Sequence, residues 1–404
     1  MMLKPALRPP MRPPMRGANA PREGVGGPWL PNMARLANAY DLATGIPSIS
    51  GTPPTVTAYQ TSDTGIAVSY AIGFSTNRAA VRSRGGALVD YGGNAGLQAT
   101  TVNTGSNIGT GKYQDRVIHE IETGSPNIEF RIFRQGTTRV RILTRDSAAT
   151  AWQYAGAGVV TMNTLASSTC VKVAYSGALA GRQTAIELAW YPSADSGTAG
   201  VLIQIRVDTG YTSVAPASPT HPVKLLILGD SFIQGGNTTF RGDGIPSLLG
   251  WQLNAEVTCS GIGGTGLIAN TSGTQPNLQN RLDDALLQSF DAIIVAMGTN
   301  DVGQADASVT AAANVVLNGL KSRVPLAPQF WITPWDLEAP GALAANKVAV
   351  RDAMKAATVG KGGVWTLDPT GVTFTQSSSH PDDAGALTLA NWVKGQIGTI
   401  LAAY

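Results

Sequence analysis

From residue 223 onward the chain holds five short apolar runs, and this feature limits its fold more than any other. The runs lie at 223–228, 256–259, 291–297, 329–334 and 363–367. Stretches of helical length and pattern separate or follow them, at about 243–254, 277–289, 306–322, 341–357 and 383–402. Strands that alternate with helices cannot pair as hairpins. They predict an α/β domain with a doubly wound parallel sheet of flavodoxin-like size. The first run, Leu225-Leu226-Ile227-Leu228, has no polar interruption. That suits a strand buried on both faces.

The segment before it has a different period. Ile128-Glu129-Phe130-Arg131-Ile132-Phe133-Arg134 alternates apolar with polar, then Gln135-Gly136 leads to Val140-Arg141-Ile142-Leu143-Thr144. That pattern predicts a hairpin. Ile186–Tyr191 and Val201–Val207 flank a loop rich in Gly, Ser and Asp. Residues 36–214 are therefore expected to form an all-β sandwich or jelly roll. Trp152, Tyr154, Trp190 and Tyr191 admit two readings, core packing or a sugar-binding face. His119 is expected to be an ordinary strand residue. Residues 215–222, Ala-Pro-Ala-Ser-Pro-Thr-His-Pro, read as a linker into the α/β domain at 223–404. At the other end, Arg8-Pro9-Pro10-Met11 repeats as Arg12-Pro13-Pro14-Met15. Proline removes backbone donors, so residues 1–35 are expected to be a disordered tail.

The 404 residues suggest two domains. Of the net charge of +3, residues 1–23 supply +4, from Lys4, Arg8, Arg12, Arg16 and Arg22 against Glu23. The rest of the chain is close to neutral, which argues against a nucleic-acid surface. Cys170 and Cys259 match no metal spacing and cannot form a disulfide framework. Two free thiols are expected, with a single bridge as the alternative. His119, His221 and His380 form no metal-binding pattern, so neither a metal nor another cofactor is expected. No apolar run is long enough for a membrane span, and no apolar leader core is present.

Four motifs fall at the carboxyl ends of the predicted strands, where open α/β sheets bind ligands. Gly229-Asp230-Ser231 ends the first strand. Such a turn can hold a serine hydroxyl clear of the backbone. Ser260-Gly261-Ile262-Gly263-Gly264-Thr265-Gly266 follows the second, and glycines let backbone N–H groups approach a substrate oxygen. Met297-Gly298-Thr299-Asn300-Asp301 follows the third. Ser377-Ser378-Ser379-His380-Pro381 precedes the last helix and brings a histidine, the usual base for a serine.

Together these motifs resemble those of the SGNH, or GDSL, hydrolases and esterases. The resemblance covers about residues 222–404, and the four family residue types occur in order at Ser231, Gly264, Asn300 and His380. It implies that Ser231 is the nucleophile and His380 the general base and acid. It also implies an oxyanion hole made of the Ser231 and Gly264 N–H groups and the Asn300 side chain. Where the family has an aspartate three residues before the histidine, this chain has Ser377. Ser377, Asp382 and Asp383 are candidate orienting groups, and Asp368 and Asp301 are alternative acids. Helix capping is the competing role for Asp382 and Asp383.

The function expected is a serine esterase acting through a Ser231 acyl-enzyme. Family members with an added β-sandwich resemble carbohydrate esterases that remove O-acetyl groups from polysaccharides. The alternative is a non-catalytic glycan-binding or structural particle protein with a degenerate site. The expected partners are an acylated polysaccharide or a small ester. Homo-oligomerisation, or docking to a larger particle through the tail, is a further expectation. The expected location is extracellular or on a virion.

Overall fold

The computed structural model describes residues 27–59, 66, 68–71, 80–84, 87–91, 94–98, 116–133, 138–156, 160–162, 168–190, 201–217, 223–270, 276–286, 289–335 and 343–404. In the α/β domain all five expected strands form, at Val223–Gly229, Ala255–Gly261, Ala292–Ala296, Gln329–Ile332 and Val364–Leu367. All are parallel, and their spatial order is second, first, third, fourth, fifth. This is the flavodoxin-like order, whose switch point lies between the first and third strands. Successive residues of the first strand feed opposite cores. Leu225 and Ile227 join one apolar layer, and Leu226 and Leu228 join the other. A strand covered on both faces has no polar side to spare, which explains its unbroken apolar run.

Helices α1 (Leu30–Asp41), α3 (Ile245–Gln252) and α6 (Asp383–Leu401) cover the first face. Helices α4 (Asp306–Arg323) and α5 (Ala345–Thr358) cover the second, with Leu278–Leu286. That last segment was expected to be α-helical and is a 3-10 helix. Its buried Leu278, Arg281 and Asp284 are spaced by three. A helix of three residues per turn stacks them in one line against the sheet. No helix of the described residues is long and apolar enough to cross a membrane.

Helix α1 corrects the expected boundary of the tail. Residues 30–35 are helical, and Met33, Leu36 and Ala39 are fully buried in the core beneath Val223, Leu225 and Ala292. The spacing of those apolar residues supplies one helical stripe. The Asp291 carboxylate pairs with Arg35 and accepts from the Lys224 N–H at 2.8 Å, so it fastens α1 to the start of the first strand. Residues 36–41 therefore belong to the α/β domain, and the β region is inserted between its first helix and its first strand. Residues 1–26 and most of the linker, 218–222, lie outside the described residues.

Among the described residues, the β region is a sandwich of two seven-stranded sheets. The expected hairpin does not form. Asn127–Phe133 pairs with Ser168–Ala174 and Val201–Val207 in one sheet, and Thr138–Arg145 pairs with Gln183–Trp190 in the other. Ile128, Phe130 and Ile132 face Val140 and Ile142 across the core instead of lying beside them. Two strands with apolar faces bury more area stacked face to face than paired edge to edge. His119 is a buried strand residue opposite Ile186. Cys170 and Cys259 are buried and lie in different domains.

The sandwich packs directly on the α/β domain. Trp251 of α3 inserts among Ile118, Leu143, Trp152 and Ala185. The Arg141 guanidinium donates to Glu187 at 2.9 Å and to Asp243 at 2.7 Å, and lies over the rings of Tyr154 and Phe240. Trp152 and Tyr154 thus take part in the interface. The side chain of Trp190 and all of Tyr191 lie outside what is described.

Candidate active site

Ser231 opens the short helix α2 (Ser231–Gln234) at the carboxyl end of the first strand. Asp230 is its N-cap and accepts the Phe232 N–H at 3.0 Å. Burial pushes the Asp230 carboxyl up to about 7, against the Phe232 N–H and the nearby Arg281 cation. Asp230 thus shapes the turn from below. Gly235 ends α2 with a φ of 75°, a left-handed conformation that glycine adopts without strain. The chain then doubles back, and the Gly236 N–H donates to the Ser231 carbonyl at 3.2 Å.

The loop after the second strand lies beside the serine. A Cβ built on Gly263 would come within 3.5 Å of the Ser231 Cβ. Gln234 Oε1 accepts the Gly263 N–H at 2.9 Å and ties this loop to α2. Gly264 has a φ of 71°, again left-handed. Asn300 lies in the 3-10 turn Thr299–Asp301 after the third strand, and its Nδ2 donates to the Thr265 carbonyl at 2.9 Å. Ser231, Gly264 and Asn300 are each half-buried. Asp301 is buried behind them. Its two carboxylate oxygens accept the N–H groups of Leu267, Ile268 and Ala269 at 2.7–2.9 Å. It is a loop anchor and has no contact with the histidine.

His380 comes from the opposite side. Ser377 and His380 pair across a two-residue turn, in which Ser378 has a φ of 59°. The imidazole lies over Gly236, where a built Cβ would be 3.2 Å from its Cδ2 and 3.3 Å from its Cγ. Phe232 flanks the ring at a centroid distance of 5.8 Å. Phe232 is itself stacked on Trp335 at 6.1 Å and edge-on to Phe374. The Asn237 amide donates to the Ser377 carbonyl and pins the turn to the segment after α2. Gly236 touches both partners: the same built Cβ is 3.5 Å from the Ser231 carbonyl oxygen. The turn thus brings His380 to the serine's own helix.

Among the described residues, each candidate acid is occupied elsewhere. Asp382 caps α6 through the Gly385 N–H at 2.8 Å and accepts the Thr375 hydroxyl at 2.5 Å. Asp383 accepts the Thr239 N–H at 2.7 Å. Asp368 pairs with Lys355 and binds Thr370. Instead, His380 Nδ1 meets the hydroxyl of Ser379 at 3.2 Å. Burial alone holds the imidazole below its usual value, and no described carboxylate raises it. Ser377 is exposed, and its recorded link to the site is through its backbone. Sequence reasoning missed Gln234, Asn237, Arg281 and Ser379. Only Ser379 carried a signal, as one of three serines in a row before the histidine.

Residues 227–387 match the model of the GDSL-like lipase/acylhydrolase family. The C-terminal domain is therefore a GDSL-like acylhydrolase domain. The fold is shared with a family two carbohydrate esterase from Cellvibrio japonicus, at 15% identity and a TM-score of 0.60, over 86% of this chain and 99% of that one. It is also shared with a family two carbohydrate esterase from Clostridium thermocellum in complex with cellohexaose, at 14% identity and a TM-score of 0.55, over 80% and 100%. A third is salicylyl-acyltransferase SsfX3 from a tetracycline biosynthetic pathway, at 14% identity and a TM-score of 0.61, over 82% and 97%. At such coverage the likeness includes both the sandwich and the α/β domain. No curated protein sequence matches this chain.

Proposed function

We propose that this chain is a serine esterase that removes acyl groups, chiefly O-acetyl, from a polysaccharide. The observation that carries the reading is the meeting of His380 with α2 over Gly236, at the strand ends that also present the half-buried Ser231, Gly264 and Asn300. In the reaction, Ser231 Oγ attacks the ester carbonyl and His380 Nε2 takes its proton. The developing oxyanion is received by the N–H groups of Ser231 and Gly264 and by the Asn300 amide. His380 then returns the proton to the departing sugar hydroxyl. Water repeats the sequence on the acyl-enzyme. With its proton on Nδ1, held toward Ser379 Oγ, the imidazole leaves Nε2 free as the base. Donors aimed at charge that appears only in the transition state are worth roughly 3–4 kcal/mol each.

Acyl transfer is supported by the acylhydrolase family match. The carbohydrate side rests on architecture, since two esterases of the same two-domain fold are carbohydrate esterases. The test is release of acetate from acetylated xylan and hydrolysis of p-nitrophenyl acetate by the full chain and by Ser231→Ala. The variant is expected to fold normally and to keep less than about a thousandth of the activity. Equal activity in both would remove Ser231 from the mechanism. Inactivity of both, with glycan still bound, would favour the alternative of a binding protein with a degenerate site.

A further inference from the structure

Arg281 is only 3% exposed and lies beneath the candidate site, among the carboxyl ends of the first two strands. Its Nη2 donates to the Gly229 carbonyl at 3.0 Å and to Thr265 Oγ1 at 3.3 Å. Its Nη1 donates to the Ser260 carbonyl at 2.9 Å and to Ser260 Oγ at 3.2 Å. The Ser260 hydroxyl in turn donates to Asp284 at 2.6 Å. A buried guanidinium is retained only where several acceptors compensate its lost hydration. Here the acceptors belong to the segments that carry the three oxyanion donors. Gly229 stands two residues before Ser231. Thr265 follows Gly264, and its carbonyl is held by Asn300 Nδ2.

From this geometry we infer that Arg281 is the positioning residue of the oxyanion hole, setting the Ser231, Gly264 and Asn300 donors relative to one another. The inference rests on the esterase reading above. A planar, forked cation can span two strand ends and a loop at fixed angles, which an ammonium cannot.

The test uses the full chain with p-nitrophenyl acetate, with active sites counted by end-point titration with a fluorophosphonate. Arg281→Lys keeps the charge and loses the fork. It is expected to lower kcat per titrated site by about 100-fold, the scale of a 1 Å misplacement. Thr265→Val conserves shape, loses the Arg281 link together with the bond from Thr265 Oγ1 to the Ile262 carbonyl at 2.8 Å, and is expected to lower it by about tenfold. In both, KM should stay within about twofold of wild type, and the affinity for phenylboronic acid should fall with kcat. The pH midpoint should not move, since His380 is untouched. A merely structural role would reduce the number of titrated sites and leave kcat per site unchanged. That outcome for Thr265→Val, which does not depend on Arg281→Lys folding, overturns the proposal and leaves the esterase reading standing. Wild-type turnover that is independent of Ser231 overturns both.

Discussion

The two sides of the candidate site are built by opposite means. The side that carries Ser231, Gly264 and Asn300 is fastened from beneath by buried polar groups. Asp301 takes three backbone N–H groups, Arg281 takes four contacts, and Gln234 takes the Gly263 N–H. The histidine side is an exposed two-residue turn, held by one amide from Asn237, one hydroxyl from Ser379 and the face of Phe232. The contrast follows from what each side has to do. Donors that stabilise a transient charge must be in place before it appears, so rigidity serves them. A base carries a proton between two oxygens and works with packing that fixes its ring plane alone. On the proposed reaction, a missing carboxylate should therefore cost less activity here than a missing loop anchor.

Asp301→Ala tests the fastened side and should have the largest effect. Three N–H groups lose charged acceptors, so stability should fall by about 3 kcal/mol or more. The kcat on p-nitrophenyl acetate should fall about 100-fold or more, as read by urea unfolding and steady-state kinetics. Retained activity would mean that the loop does not need its anchor. Next comes Gly236→Ala, where the new methyl would meet His380 at 3.2–3.3 Å. It should cut kcat by about tenfold and change the melting temperature by less than about 2 °C. An unchanged kcat would show that contact over Gly236 does not set the ring.

Ser377→Asp places a carboxylate opposite His380 in the turn. In the proposed reaction the neutral imidazole is the active form, and burial holds its pKa below the ordinary value of 6.5. The acid limb of kcat/KM should therefore lie below that pH in the wild type. A nearby carboxylate stabilises imidazolium, so the limb should move to higher pH in the variant. A limb that stays in place would mean that the side chain at 377 does not reach the ring.

The smallest effect belongs to Asp230→Asn. The folded-state pKa of about 7 lies above the unfolded carboxyl near 3.9, so the folded chain holds a proton that the unfolded chain releases. That contribution is complete below about pH 4 and is lost as pH rises through about 7. Asparagine caps α2 equally well and does not titrate. The fall in melting temperature between pH 5 and pH 8 should therefore be smaller in the variant, by about 2 °C or more. An equal fall would place Asp230 in a wetter setting than its burial suggests.

Much of this was legible before any coordinates. The unbroken run at 225–228 fixed a doubly covered strand, and helices 306–323 and 383–401 end within a residue of expectation. The supports were not legible, because they depend on tertiary partners. Arg281 sits in Leu-Gln-Asn-Arg-Leu-Asp-Asp, which reads as a solvated face until the three-residue period turns it to the sheet. The hairpin failed because alternation gives a strand its buried face but not the strand it pairs with. Helix α1 was hidden by the proline repeats before it, although Met33, Leu36 and Ala39 carry a helical period.

That helix has a consequence for how the protein is made. Its partners in the sheet begin at residue 223, some 180 residues after α1 ends. At about 5–20 residues per second, a ribosome needs roughly 10–40 s to deliver them. During that interval the whole sandwich emerges, while the Met33–Leu36–Ala39 stripe is still without its core. Loop closure over such a span costs little extra free energy but delays assembly. The nascent chain thus carries an uncovered apolar stripe, of the kind that holdase chaperones bind, until the parallel sheet arrives to receive it.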